Sequence, residues 1–240
     1  MKILIIVPAF NEEKNILKVI DSLNKQNPEW NILIINDCSE DNTLNVCEST
    51  DRAIVINLCS NIGIGGTVQT GFRFAQNNDY DIAVQFDGDG QHIANEIPKL
   101  LEPIINNKCD VVIGSRFLIN HKGYKSTKIR RFGIKIFQLV NSILINQKIT
   151  DNTSGFRAYN KKALHFLSDC YPTDYPEPES VILLSKNGYK ILEVSTVMKE
   201  REEGKSSISG FKNFAYMINV LLAIIMNSIR PTIKQENCNE

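Results

Sequence analysis

Residues 3–7 form an unbroken apolar run, Ile-Leu-Ile-Ile-Val, closed by Pro8. A short run that is apolar at every position and rich in β-branched residues reads as a strand buried on both faces, the mark of a parallel sheet covered by helices. It is too short for a secretory signal, so no leader peptide is expected. The pattern then repeats. Residues 12–26 place Ile16, Leu17, Val19, Ile20 and Leu23 at helical spacing. Strands are predicted at 32–35, 53–57, 82–86 and 110–114, and helices at 41–48 (started by Ser39), 66–77 and 95–106. The alternation predicts an α/β fold, an open, mostly parallel sheet with helices on both faces. Such sheets bind ligands at the carboxyl ends of their strands.

The second half is less regular. An amphipathic helix is expected at 128–146, strands at 155–159 and 190–198, and a loop over the proline-rich residues 171–178. Residues 211–229 are strongly apolar, with only Asn219 interrupting 214–226. That falls short of the roughly 20 apolar residues a membrane-spanning helix needs. Three readings stay open: a packed or dimer helix, an interfacial helix, or a helix docking on a membrane partner protein. Arg230 and Lys234 follow the segment and suit anionic headgroups.

Charge narrows the function. Lysine plus arginine and aspartate plus glutamate number 27 each, which argues against a nucleic-acid binder and leaves anion binding to local clusters. The six cysteines form no CxxC pair and the three histidines are dispersed, which argues against structural zinc and for reduced thiols in a cytosolic protein.

The polar motifs fall at the predicted strand ends. Asp87-Gly88-Asp89-Gly90-Gln91-His92 directly follows the strand at 82–86. Two carboxylates in a glycine-rich turn suit a hard divalent cation, Mg²⁺ or Mn²⁺, with Gln91 as a third ligand or a phosphate contact. Such an ion bridges to a diphosphate and neutralises charge on a leaving group. Asp37, after the second strand, suits ribose hydroxyls or a base N–H, or else caps a turn. The turn Asn61-Ile62-Gly63-Ile64-Gly65-Gly66 is neither GxGxxG nor a P-loop, which disfavours a nicotinamide dehydrogenase or an NTPase. Arg116, Arg130, Arg131, Arg157 and Arg201 are candidates for diphosphate recognition. Residues 150–157, Thr-Asp-Asn-Thr-Ser-Gly-Phe-Arg, combine an acid, hydroxyls, a glycine and an arginine, and Glu177 and Glu179 flank Pro178 in a segment the prolines are expected to hold extended.

Seven motifs in order resemble the GT-A glycosyltransferases of family 2, most closely the branch of dolichol-phosphate mannose synthases and bacterial polyprenyl-phosphate sugar transferases. They are Val7-Pro8-Ala9-Phe10-Asn11-Glu12-Glu13, Asn36-Asp37-Cys38-Ser39, the 61–66 turn, Asp87-Gly88-Asp89-Gly90-Gln91-His92, Gly114-Ser115-Arg116-Phe117, Thr153-Ser154-Gly155-Phe156-Arg157, and Arg201-Glu202-Glu203-Gly204-Lys205-Ser206-Ser207. The resemblance implies a catalytic GT-A (Rossmann-like) domain over 1–205 and a C-terminal apolar or amphipathic helix and tail over 206–240. It puts Pro8, Ala9, Asn11, Glu12 and Asp37 around the nucleoside. Asp87, Asp89 and Gln91 hold metal and diphosphate, and Arg116, Arg130 or Arg131, and Arg201 contact phosphates. Gly65, Gly66, Arg157, Glu177 and Ser206 complete the sugar-nucleotide site. Asp89, Asp151 and Glu179 are the implied catalytic residues, and the sequence does not choose between Asp151 and Glu179 as base.

The implied reaction is inverting transfer from a nucleoside diphosphate sugar to a polyprenyl phosphate, by a peripheral protein on the cytoplasmic face of a membrane. Alternatives are transfer to a growing cell-surface polysaccharide or glycolipid, and a non-catalytic nucleotide-binding scaffold. Cys38 stands where the family often has glycine, and Ser207 where the mannose synthases usually have lysine, which weakens a specific GDP-mannose and dolichol-phosphate pairing.

Overall fold

Leu4 and Ile6 point to one face of the sheet, Ile5 and Val7 to the other, and all four are fully buried. That two-sided burial is why the opening run has no polar position. The computed structural model describes residues 1–118, 147, 149–199, 222 and 226. Its seven strands are β1 (Ile3–Ala9), β2 (Asn31–Asn36), β3 (Ile54–Asn57), β4 (Ile82–Gln85), β5 (Val111–Ser115), β6 (Arg157–Asn160) and β7 (Ile191–Ser195), in the order β3-β2-β1-β4-β6-β5-β7. All run in one direction except β6, which is antiparallel to β4 and β5.

One apolar core lies between the sheet and α1 (Ile16–Gln26), α2 (Thr43–Glu48) and α4 (Ile97–Ile105). The other lies beneath α3 (Gly63–Asn77), α5 (Lys161–Cys170) and α6 (Pro176–Lys186). Helix α3 sits so close to β1 that a Cβ on Gly71 would stand 2.4 Å from Ile6 Cγ2.

Strand order reverses at β1: the chain proceeds outward to β2 and β3, then returns to place β4 on the other side. β1 pairs with β2 as far as Ala9 and Asn36, but with β4 only as far as Ile6 and Gln85. The two chains therefore part beyond that pair, forming the crevice where open α/β sheets take ligands. Because β6 is antiparallel, the loop that precedes it arrives at this same edge.

Several sequence expectations change. Ser39 does not start α2, whose N-cap is Asn42; its Oγ instead accepts the Asn11 N–H and donates to Asn36 Oδ1. α5 was not foreseen, although Asn160 caps it by accepting the Ala163 N–H at 2.9 Å. The expected loop at 171–178 becomes helix from Pro176 onward, with Glu177, Pro178 and Glu179 in or next to the first turn. Proline loses no helical hydrogen bond there, since the first N–H groups of a helix have no partner within it. The helix expected from residue 66 begins at Gly63. The expected helix at 128–146 lies outside the described residues, as does the 211–229 segment apart from Leu222 and Met226, which are helical and exposed. No helix among the described residues is long and apolar enough to cross a membrane.

Candidate active site

The acidic turn lies across the end of β1. The Phe86 N–H still bonds Ile6 O at 2.9 Å, and the chain then passes so close to Pro8 O that a Cβ on Gly88 would stand 3.0 Å from it. Gly90 has φ +76°, a left-handed turn that glycine adopts without strain. Asp89 Oδ1 accepts the Gln91 N–H at 3.0 Å. Gln91 pairs with Lys199, accepting its N–H at 2.9 Å and donating Nε2 to its carbonyl at 3.3 Å. Its amide nitrogen is thus engaged, which leaves Oε1 as the group suited to a cation.

The Asp87 carboxylate leans on Gly155, where a Cβ would stand 3.1 Å from both oxygens. His92 is buried, its Nδ1 accepts the Asp87 N–H at 3.0 Å, and its Nε2 lies 3.5 Å from Asp87 Oδ2. Burial, reinforced by the Arg116 charge, lowers the His92 pKa to about 4 against the pull of Asp89 and Asp151, so the ring is neutral at physiological pH.

On one side of the crevice, the carboxyl ends of β1 and β2 are stitched together. The Asp37 N–H bonds Ala9 O, the Asn11 N–H bonds Ser39 Oγ, Asn11 Oδ1 accepts the Glu40 N–H, and the Glu12 N–H bonds Thr43 Oγ1, all at 2.8–3.0 Å. Pro8, Ala9, Asn11, Glu12 and Asp37 are thereby brought to one edge. Asp37 is buried and uses both oxygens on the start of α3, accepting from Ile62 N at 2.8 Å and Gly63 N at 3.0 Å. It caps that turn as the sequence allowed. Gly65 serves packing: a Cβ there would stand 2.5 Å from Thr173 O. Gly66 is covered by the Ile62 side chain.

On the far side of the crevice, Arg116 and Asp151 form a two-point ion pair, with both contacts at 2.7 Å. Asp151 is fully buried and also accepts the Arg116 backbone N–H at 3.0 Å. Glu193 pins that loop by accepting from the backbone N–H groups of Thr150 and Asp151, each at 2.8 Å, and its own pKa is raised by burial. Glu193 was missed in the sequence; its one signal is a carboxylate in an otherwise mostly apolar strand.

Arg157 corrects an expectation. It is fully buried and donates Nε to Ser154 O, Nη1 to Ser180 Oγ and Nη2 to Asn152 O, so it braces the loop from behind instead of meeting a ligand. Glu179 is buried and accepts the Tyr175 N–H at 3.1 Å, satisfying the start of its own helix. Glu177 is half-buried, and desolvation raises its pKa against the nearby Arg157 charge. Arg130, Arg131, Arg201 and Ser206 lie outside the described residues.

Among the described residues, no three His, Cys, Asp or Glu side chains gather to enclose a metal. Asp87 and Asp89 offer two carboxylates at an open turn. Mg²⁺ in phosphoryl-binding sites is held by one or two carboxylates, with phosphates and waters completing the shell. The donor set therefore fits an oxygen-preferring divalent ion shared with a diphosphate.

An open sheet in this strand order, with paired carboxylates at its switch point, is the frame of a GT-A-type glycosyltransferase. The profile of the family described as Glycosyl transferase family 2 matches residues 4–167, and the chain belongs to that family. It is 32 % identical over 248 residues to the UDP-N-acetylglucosamine–dolichyl-phosphate N-acetylglucosaminyltransferase of Methanococcus voltae, covering 94 % of this chain and 98 % of that one. It is 30 % identical over 217 residues to the undecaprenyl-phosphate mannosyltransferase of Micrococcus luteus, covering 88 % of each. In fold it is similar to glucosyl-3-phosphoglycerate synthase of Mycobacterium tuberculosis, solved in complex with Mn²⁺, uridine diphosphate and phosphoglyceric acid: TM-score 0.68 at 17 % identity, over 96 % of this chain and 79 % of that one. The protein is a glycosyltransferase.

Proposed function

We propose that this glycosyltransferase moves a sugar from a nucleoside diphosphate sugar onto a polyprenyl phosphate, with inversion at the anomeric carbon. The observation that carries the choice of acceptor is the state of the two candidate bases. Asp151 is bound to Arg116 at two points, and Glu179 caps its own helix. A sugar hydroxyl needs a carboxylate to take its proton. A phosphate acceptor arrives already anionic and needs none. The relatives named for dolichyl-phosphate and undecaprenyl-phosphate transfer, similar over nearly the whole chain, support the same choice.

In this reading the nucleoside sits against Pro8, Ala9, Asn11, Glu12 and Asp37, and the diphosphate extends across the turn of Asp87 and Asp89. Asp87, Asp89 and Gln91 would hold a divalent ion there, which would neutralise charge on the diphosphate. Arg116, oriented by Asp151, adds a fixed positive charge at the end of β5. An acceptor phosphate oxygen forms the new bond to the anomeric carbon as the bond to the diphosphate oxygen breaks, and that electron pair leaves with the nucleoside diphosphate. A lipid acceptor requires the protein to work at a membrane surface, and residues 206–240 are the segment we assign to that contact.

The test offers radiolabelled UDP- and GDP-sugars with Mn²⁺ to a short-chain polyprenyl phosphate and, separately, to free oligosaccharides. Product on the polyprenyl phosphate alone is expected. Product on the oligosaccharides alone contradicts the proposed acceptor and supports the polysaccharide alternative.

A further inference from the structure

We infer that His92 is a positioning residue for the metal turn, fixing the backbone of Asp87 and walling one side of its carboxylate. This rests on the reading that Asp87 is a metal ligand. The ring makes two contacts with a single residue five positions earlier. The Asp87 backbone N–H donates to Nδ1 at 3.0 Å. A neutral imidazole that accepts at Nδ1 carries its proton on Nε2. Nε2 itself lies 3.5 Å from Asp87 Oδ2, longer than a formed hydrogen bond but close enough to hold the ring beside the carboxylate.

The ring has little freedom to leave this arrangement. Its side chain is only 3 % exposed. It stacks on Phe156 with ring centroids 4.8 Å apart and meets Phe86 edge-on at 5.3 Å. Phe86 is the residue just before Asp87, and Phe156 follows Gly155, so the same aromatic pair anchors both walls around the carboxylate. On the opposite wall, Gly155 brings its Cα against the carboxylate, where a Cβ would stand 3.1 Å from both oxygens. Asp87 is therefore held between a ring and a bare backbone. A ligand ordered before the ion arrives costs less to recruit, and removing such outer contacts typically lowers metal affinity by about 10- to 100-fold.

Three substitutions separate the contacts. His92→Asn keeps an acceptor near the Nδ1 position and loses the outer N–H. His92→Gln does the reverse. His92→Phe keeps the aromatic stack and loses both. The readout is Mn²⁺ affinity measured by calorimetry in the presence of UDP or GDP, whichever the wild type binds, with melting temperature recorded for each variant. Asp87→Ala is the control that removes the ion.

We expect Mn²⁺ to bind about 10- to 100-fold more weakly to His92→Phe, with smaller losses in His92→Asn and His92→Gln. Transfer by each variant is expected to recover when Mn²⁺ is raised, measured well below the melting temperature of the ion-free variant so that stabilisation of the fold by the ion is not the cause. Folded variants that bind Mn²⁺ as tightly as wild type overturn the role given to His92 and leave the metal site standing. A wild type that binds no Mn²⁺, with or without nucleotide, overturns the metal site and the inference together.

Discussion

Asp151 and Arg116 join the loop before β6 to the end of β5 through three contacts: Nε to Oδ2 and Nη2 to Oδ1 at 2.7 Å, and the Arg116 backbone N–H to Oδ2 at 3.0 Å. The arginine side chain is 14 % exposed and the aspartate is fully buried, so the pair is largely out of water. Breaking a buried pair by removing one partner costs about 3–5 kcal/mol. Asp151→Ala is therefore expected to lose stability on that order in urea denaturation. In Asp151→Asn, which keeps the shape, apparent donor affinity is expected to weaken several-fold because Arg116 is no longer aimed. A collapse of kcat at unchanged KM for the donor would instead make Asp151 the base.

Gly155→Ala tests the wall behind Asp87. The added Cβ would stand 3.0 Å from Gln85 Nε2 and 3.1 Å from both Asp87 carboxylate oxygens, so the carboxylate must shift by a few tenths of an ångström. We expect metal-dependent transfer to fall by roughly tenfold or more, in line with loss of an outer contact to a ligand, while the melting temperature changes little. Rates equal to wild type at low Mn²⁺ would show that the close fit does not matter.

Some of these elements are plain in the sequence and others are not. β1 was legible because burial on both faces leaves no polar position, and the acidic turn because two carboxylates beside glycines follow such a strand. Arg157 was misread. In a loop rich in hydroxyls it looks like an anion contact, but its partner Ser180 is distant in sequence and belongs to a helix that the prolines at 176 and 178 disguised as an extended loop. Asp37 stayed ambiguous because the same carboxylate geometry serves a ribose or a helix start. His92 carried no signal beyond its place in a motif, since its role depends on Phe86, Phe156 and Asp87 converging in space.

Thiol chemistry reports on the proposed nucleoside edge. Burial pushes Cys47 and Cys109 up to about 11 and Cys170 up to about 12, so these three are expected to alkylate slowly. Cys59 is exposed, and Cys38, next to Asp37, is half-buried with its thiol 3.9 Å from Cys59 O. Peptide mass spectrometry after iodoacetamide treatment is expected to show Cys38 protected by saturating nucleotide and Mn²⁺. An unchanged Cys38 rate would argue against nucleoside binding beside Asp37.

Glu177 predicts a pH signature in stability. Desolvation raises its folded-state pKa above the unfolded value, so the folded chain holds its proton more tightly. Its contribution to stability is full below the unfolded pKa and is lost as pH rises through the folded pKa. Glu177→Gln, which carries no charge, is expected to be more stable than wild type at neutral pH, with the gap narrowing as the pH is lowered toward 4. Urea midpoints across that range give the comparison, and a gap that widens toward low pH would reverse the assignment.

We assign to Asp87 and Asp89 the ion that would engage the donor diphosphate. The direct test is sugar transfer to a polyprenyl phosphate by wild type and by the Asp87→Ala, Asp89→Ala double variant, each with Mn²⁺ and with EDTA. Wild type is expected to transfer with Mn²⁺, and transfer is expected to be lost in EDTA and in the double variant, provided the variant retains its fold by circular dichroism. Transfer by the folded double variant at the wild-type rate, or undiminished transfer in EDTA, would contradict it.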